Sequence, residues 1–325
     1  PISLFGLFTL AQGMTVIIPD MDPTKPAEAD PALLLESIRD HGCTNAFASP
    51  ALWKSMVKWC VANNEALPTL KRVLSAGAPI PPQLHQEFRK ILQPGVEVHT
   101  PYGATESLPV ATIGSSMVLN ETAEKTNQGQ GTCVGHLAPN MTVRIIQISD
   151  DAIAEWSDVQ VLPQGDIGEI CVKGLVVTTE YKEEPEHTKN AKIQDGNAIW
   201  HRMGDVGYMD EHDRLWFCGR KAHRVQCDDG STMFPVPCEA LFNIHESVER
   251  SALIEVNGAP VIVVEKTKET DVLDSVLTQE LLNLAVQNPL TEPIQQVLFH
   301  SSFPVDVRHN AKIDRPKLAR WAEAK

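Results

Sequence analysis

The first 115 residues switch repeatedly between apolar positions at helical spacing and short apolar runs. "DPALLLESIRDHG" (30–42) predicts a helix with Asp30 as N-cap, Pro31 at the first helical position and Gly42 as the stop. "ALWKSMVKWCVAN" (51–63) and "PPQLHQEFRKIL" (81–92) repeat the helical pattern, whereas "TNAFASP" and "LKRVLSAG" read as strands that run into loops. The opening stretch carries no charge before Asp20, but Ser3, Gly6, Thr9 and Gln12 interrupt it and no basic segment starts it. It predicts a buried helix stopped at Gly13 and then a buried strand, "MTVII", rather than a membrane span or signal peptide. Strands separated by helices imply a mostly parallel sheet covered on both faces. In such sheets ligands gather beyond the carboxyl ends of strands, where "SAGAPIP" and "TPYGATE" are expected.

From about residue 116 the rhythm changes. "TVRIIQIS", "GDIGEICVKG" and "YMDEHDRLWFCG" are short strands with turn residues between them, the last a hairpin with the polar tip "DEHD". Beyond the connector "GRKAHRVQCDDGS", the strands "SALIEV" and "APVIVVEK", the amphipathic helix "VLDSVLTQELLNLAV" and the run "QVLFHSSFPVD" outline a small α+β region. The expected fold is therefore α/β, with a doubly covered, mostly parallel sheet (1–115), a β-rich subdomain (116–219) and a small α+β C-terminal domain (220–325) that includes the connector.

Composition narrows the chemistry. A formal net charge of −14 argues against a nucleic-acid or anionic-membrane binder, whose footprint is basic. Seven dispersed cysteines with no C-x-x-C pair fit free thiols in a reducing cytoplasm. Eleven scattered histidines offer no zinc spacing.

"HTPYGATESLPV" (99–110) holds the densest chemistry. The Tyr102 ring can stack on a base, Gly103 lets a ligand approach the backbone, the Thr105 hydroxyl suits a phosphate oxygen, and Glu106 is a hard oxygen ligand for magnesium. A plain polar loop reads equally well from these residues alone.

Two further motifs follow in order, "WHRMGDVGYMDEHDRLWFCGR" (200–220) and "RHNAKIDRPKL" (308–318), with "SAGAPIP" upstream. Together they resemble the adenylate-forming superfamily of acyl- and aryl-CoA synthetases, luciferases and adenylation domains, along essentially the whole chain. The resemblance implies ATP/AMP and Mg2+ as ligands. Tyr102 would stack on adenine, with Gly77, Ala78 and Gly103 close by, and Thr105 would touch phosphate. Glu106 would hold the metal, Asp205 the ribose hydroxyls, and Arg220 the ribose–phosphate region. Lys312 matches the lysine that a mobile lid, here 220–325, brings to the reacting carboxylate and α-phosphate. A cation placed there offsets the anionic charge of the transition state, and closure excludes water. Phe47, Ala48, Ser49 and Trp53 fall where the family shapes its acyl pocket. Taken singly, Asp205 suits a turn, Arg220 a surface ion pair, Lys312 a solvated tail and Trp53 a core.

Two departures refine the resemblance. The family's Ser/Thr/Gly-rich phosphate loop is not among these residues and would precede residue 1. The chain thus corresponds to the C-terminal three-fifths of such an enzyme and is expected to be inactive by itself. The polar hinge residue is replaced by Ala222, which puts CoA transfer in doubt. Within the superfamily the motifs look most like the β-lactone synthetases of bacterial long-chain olefin biosynthesis. That likeness implies cytoplasmic activation of a long-chain 2-alkyl-3-hydroxy acid as acyl-AMP, followed by attack of its own 3-hydroxyl, alongside other olefin-pathway enzymes. His99, His201 and His223 are the candidate bases for that hydroxyl. A fatty acyl-CoA or acyl-AMP ligase and a non-catalytic nucleotide-binding scaffold are the alternatives.

Overall fold

The computed structural model describes residues 2–22, 25, 28–227, 229–268, 270–305 and 312–325, with side chains of the first helix described from Gly6 onward. The chain divides into two compact units. One comprises Pro1–Thr100, Gly114–Leu119 and Val305–Lys312, the other Pro101–Ile113, Asn120–Pro304 and Ile313–Lys325.

In the first unit, helices α1 (Ile2–Ala11), α2 (Pro31–Asp40), α3 (Pro50–Ala62) and α4 (Pro82–Ile91) accompany strands β1 (Asn45–Ala48) and β2 (Arg72–Ser75) and the start of β3 (Glu97–Ala104). The order β1-β2-β3 is parallel, as the alternating pattern predicts. The Asp30 carboxylate accepts from the Ala32 amide and starts α2, and the Ser49 hydroxyl accepts from Leu52 at the head of α3. Leu34 and Leu35, Trp53 and Met56, Phe88 and Ile91, and Val73 and Val98 form one core, with the Trp53 and Phe88 rings edge to face at 5.3 Å. Ala46 and Ala48 face that core, while Phe47 and Leu74 are half-buried.

Two expectations are corrected here. Residues 14–18 form no strand, and the described side chains of α1 are not buried: Leu7, Phe8 and Leu10 are exposed, and Ile18 beyond the helix is 75% exposed. An apolar run becomes a strand only where a neighbour accepts its backbone hydrogen bonds, and the described residues provide none. "TPYGATE" does not follow a strand either. Thr100–Ala104 is the end of β3 itself, and only Thr105 and Glu106 form the turn into β4 (Ser107–Gly114).

The second unit is mainly antiparallel. The short helix α5 (Ser115–Met117) belongs to the first unit, and beyond it come α6 (Ala123–Asn127), β5 (Thr132–Leu137), β6 (Met141–Ile146), β7 (Gly168–Gly174), α7 (Pro185–Ala191), β8 (Lys192–Asp195), β9 (Ala198–Met209) and β10 (Arg214–Arg220). They are ordered β4-β5-β10-β9-β7-β6, with β8 on β9. Alternation splits the side chains between two cores. Ile145, Ile170 and Met203 point to one, and Ile146, Cys171 and Trp200 to the other. In the second core the Trp156 and Trp200 rings stack at 4.1 Å.

A turn at Lys221–His223 leads into the short hairpin β11 (Val225–Gln226) and β12 (Thr232–Met233) and then helix α8 (Pro235–Asn243). Strands β13 (Val248–Val256), β14 (Ala259–Lys266) and β15 (Gln296–Phe299) form a three-stranded sheet with helices α9 (Asp274–Ala285) and α10 (Arg315–Glu323). Leu277, Leu281 and Ala285 bury one stripe of α9, four residues apart, as the amphipathic pattern predicts.

Burial sets the acid–base behaviour of this fold. It raises the thiols of Cys60 and Cys133 to about 11 and of Cys218 to about 12, and those of Cys171 and Cys238 further. The folded state therefore holds thiols neutral that ionise from about 9 in the unfolded chain, so this contribution is complete below that pH and is lost as pH rises. Ellman's reagent at pH 8 is expected to modify the partly exposed Cys43 and Cys227 in the native protein, and the five buried thiols only at the rate of unfolding. His85 is buried, its Nδ1 without a partner among the described residues, and burial, opposed by Glu97, lowers its ring to about 4. The neutral ring favours the fold above 6.5, and that advantage is lost as pH falls towards 4. His85→Leu should flatten the acid side of the stability profile, measured by urea midpoints between pH 7 and pH 4.5.

Candidate active site

The β9–β10 hairpin builds the site. Its register sets Asp205 directly opposite Arg220. Gly204, just before Asp205, sits at φ +65°, a conformation that suits glycine. The Arg220 guanidinium lies near this residue and donates to the Asp205 Oδ1 at 2.8 Å and to the Met203 carbonyl at 3.3 Å. From β3 the Tyr102 hydroxyl donates to the other Asp205 oxygen at 2.6 Å. The next residue has to be small, since a Cβ on Gly103 would stand 2.5 Å from the Ser107 carbonyl oxygen. Tyr102, Gly103, Asp205 and Arg220 are thus brought together from two distant motifs. Asp205 is almost fully buried, whereas 55% of the Arg220 side chain is exposed. Burial, the Asp205 charge and their hydrogen bond raise the Tyr102 phenol well above its ordinary value, against the pull of Arg220. Tyr102 therefore stays protonated and acts as a donor.

Beside this cluster a cleft of about 430 Å³ opens, lined among others by Glu106, Tyr181, His201, Arg220 and Lys221. Glu106, on the β3–β4 turn, accepts from the Tyr181 hydroxyl through Oε1 at 2.7 Å. No side chain among the described residues donates to its other oxygen. Burial pushes the Glu106 carboxyl up, but the Tyr181 hydrogen bond, a backbone amide, His201 and Lys192 outweigh it and hold the group below its ordinary value. Lys192 lies opposite His201 across β8 and β9 and donates to Thr178 at 2.6 Å and 3.1 Å. Burial lowers Lys192 to about 8 despite Glu106. Burial and then Lys192 lower His201 to about 4, so its ring is neutral at physiological pH. Its Nδ1 faces the Ala191 carbonyl at 3.2 Å, and a carbonyl can only accept, so Nδ1 carries the proton and Nε2 the lone pair.

Behind the cleft the buried Glu169 carboxylate takes two hydrogen bonds from Arg202, at 3.1 Å and 2.7 Å, and a third from Lys221. Arg202 and Lys221 each also hold the Ser149 carbonyl at 2.6 Å. The cations satisfy the buried carboxylate from β9 and from the turn after β10 at once, which is what makes such a charge tolerable.

The remaining expected residues fall elsewhere. Thr105 is exposed on the turn beside Glu106. In the first unit, Gly77 and Ala78 occupy the loop after β2, and Phe47 and Ala48 lie on β1. Ser49 caps α3, and Trp53 is buried with its indole N–H on the Leu74 carbonyl at 3.1 Å. Lys312 is exposed, and Arg308–Ala311, ahead of it in the same motif, lies outside the described residues. Ala222 is exposed in the turn after β10. Of the candidate bases, only His201 lines the cleft. His99 lies on β3, its ring lowered by burial and Arg72 against Glu97, and His223 is lowered to about 4 by burial, Arg315 and Arg220. Sequence reasoning missed Tyr181, Lys192, Glu169, Arg202 and Lys221. Only the adjacency of Arg202 and Lys221 to the two motif residues could have pointed to them.

The donor set suits a nucleotide. A two-oxygen acceptor sits beside an aromatic ring and an exposed guanidinium, the groups that vicinal hydroxyls, a base and phosphates require. It also suits magnesium. No group of three His, Cys, Asp or Glu side chains gathers among the described residues, so a cation at Glu106 would draw most of its ligands from phosphates and water, as magnesium does.

A profile of AMP-binding enzymes matches residues 2–182. Olefin β-lactone synthetase of Stenotrophomonas maltophilia is 45% identical over 98% of this chain and 58% of its own length. The enzyme of the same name from Xanthomonas campestris is 44% identical over the same shares. The chain thus spans somewhat over half the length of these relatives. The fold matches the O-succinylbenzoate coenzyme A synthetase of Bacillus subtilis, solved in complex with AMP, with a TM-score of 0.74 at 20% identity, over 97% of this chain and 57% of that one. A family match over more than half of its residues places the chain among the AMP-binding enzymes, the group to which the order of its three motifs also points.

Proposed function

We propose that this chain is part of an AMP-forming β-lactone synthetase that activates a long-chain 2-alkyl-3-hydroxy acid with ATP and closes it on itself. The observation that carries the adenylate half is the Asp205 carboxylate shared between the Tyr102 hydroxyl and the Arg220 guanidinium. When a nucleotide enters, the ribose hydroxyls take over the two Asp205 oxygens, and Arg220, already at the surface, turns to phosphate. Tyr102 offers its ring to adenine, with Gly77 and Ala78 assigned to the same base. Thr105 and Glu106 serve the phosphate end, where magnesium would neutralise phosphate charge. Lys312 is the cation for the carboxylate attack on the α-phosphate, and residues 220–325, pivoting at Ala222, are the lid that carries it. The acid's oxygen forms a bond to phosphorus and pyrophosphate leaves.

In the second half the 3-hydroxyl oxygen bonds to the acyl carbon, AMP departs and the hydroxyl proton is lost. The attack is intramolecular, so a chain fold that holds hydroxyl and carbonyl together supplies much of the rate. Phe47, Ala48, Ser49 and Trp53 are assigned to holding the alkyl chains. The likeness to β-lactone synthetases along nearly all of this chain, together with Ala222 in place of a polar hinge, favours lactone over thioester.

The test mixes full-length protein with ATP, magnesium, the hydroxy acid and CoA and reads the products by mass spectrometry. The expected product is the acid less one water, formed with AMP and indifferent to CoA, whereas a CoA thioester would return the protein to the ligases. Asp205→Asn should weaken AMP binding by roughly tenfold or more, the scale of losing good hydrogen bonds to a charged acceptor, while the unfolding midpoint stays close to wild type. Lys312→Ala should leave AMP binding intact and slow adenylate formation by about 100-fold to 1,000-fold, measured by pyrophosphate release in single turnovers.

A further inference from the structure

The segment 177–188 does more than border the cleft. Its Thr178 amide donates to the Glu106 carbonyl at 2.9 Å, and its Tyr181 hydroxyl donates to the Glu106 carboxylate at 2.7 Å. Both contacts converge on the residue that the nucleotide reading assigns to magnesium. The segment is itself held. Lys192 donates to the Thr178 carbonyl and hydroxyl, the Tyr181 amide donates to the Thr188 hydroxyl at 3.0 Å, and the Lys192 ammonium stands 5.7 Å from the Tyr181 ring centre. Tyr181 is thus fixed at its backbone and over its ring, and its hydroxyl meets one carboxylate oxygen only.

We propose that Tyr181 is a positioning residue: by holding Oε1 of Glu106 it fixes the carboxylate and presents Oε2 to the cleft as a ligand for nucleotide-bound magnesium. This rests on the nucleotide reading above. A carboxylate on a turn has two rotatable side-chain bonds beyond Cβ, and freezing them costs free energy that a bound cation would otherwise have to supply. The Tyr181 hydroxyl supplies that ordering beforehand. A carboxylate anchored by a side chain at one oxygen only also favours one-oxygen ligation through the other, leaving room around the cation for phosphates and water.

Tyr181→Phe isolates the hydroxyl, because the ring and the Thr178 and Thr188 backbone bonds remain. Titration calorimetry on full-length protein, with a non-hydrolysable ATP analogue in magnesium and again in EDTA, separates the two roles. The expected result is a loss of roughly tenfold in the magnesium titration alone, as for other groups that orient a metal ligand. Equal losses with and without metal would make Tyr181 merely structural, and no loss would remove it from the site, so either overturns the proposal. A crystal structure of the variant decides independently of any nucleotide: Glu106 should leave the orientation described here, and an unmoved carboxylate would overturn the proposal. If wild-type protein binds neither form of the analogue, the nucleotide reading fails, and the Glu106 orientation in the variant still settles the role of Tyr181.

Discussion

The register of one hairpin governs the candidate site. Asp205 and Arg220 are cross-strand partners on β9 and β10, and the pairing holds only because the ladder shifts between Phe217 and Gly219. A strand's side chains alternate faces, so a slip of one residue would turn Asp205 away from both Arg220 and Tyr102. Around this register the second unit arranges its other charges. Arg202 lies three residues before Asp205 and Lys221 directly after Arg220, and both close on Glu169. The buried carboxylate therefore ties β9 to the turn that follows β10, beside Asp205 and Arg220.

The surroundings show how a chain with a net charge of −14 can serve an anionic ligand. Arg220 stays exposed, Lys221 is spent on Glu169 and the Ser149 carbonyl, and Arg202 is wholly enclosed. The overall charge keeps the protein apart from polyanions, while one accessible guanidinium supplies local attraction. Neutral His201 and the lowered Lys192 fit the same economy: burial weakens both bases, against the pull of Glu106.

Much of this was legible beforehand. The caps of α2 and α3, the hairpin and the stripe on α9 follow from local chemistry, which sequence carries directly. That Tyr102, Asp205 and Arg220 come together was legible because their motifs are compact and ordered. Tyr181 was not, since it sits in a polar run without periodicity and reaches Glu106 only through tertiary folding. Lys192 escaped for a similar reason, as its role comes from lying opposite His201 on a strand of four residues. The run 14–18 misled because apolar character proposes a strand but cannot supply its neighbour.

The stacked indoles of Trp156 and Trp200 give the molecule an optical signature of its own. Two such rings 4.1 Å apart and inclined by only 11° share their electronic transitions, so the pair absorbs as a coupled unit rather than as two isolated chromophores. Trp200 lies two residues from Arg202 on β9, with the Lys173 ammonium 4.6 Å from its ring centre. Any shift of that strand alters the coupling. The near-ultraviolet dichroism of this protein thus carries a native reporter of the strand that bears Asp205, without a label attached to it.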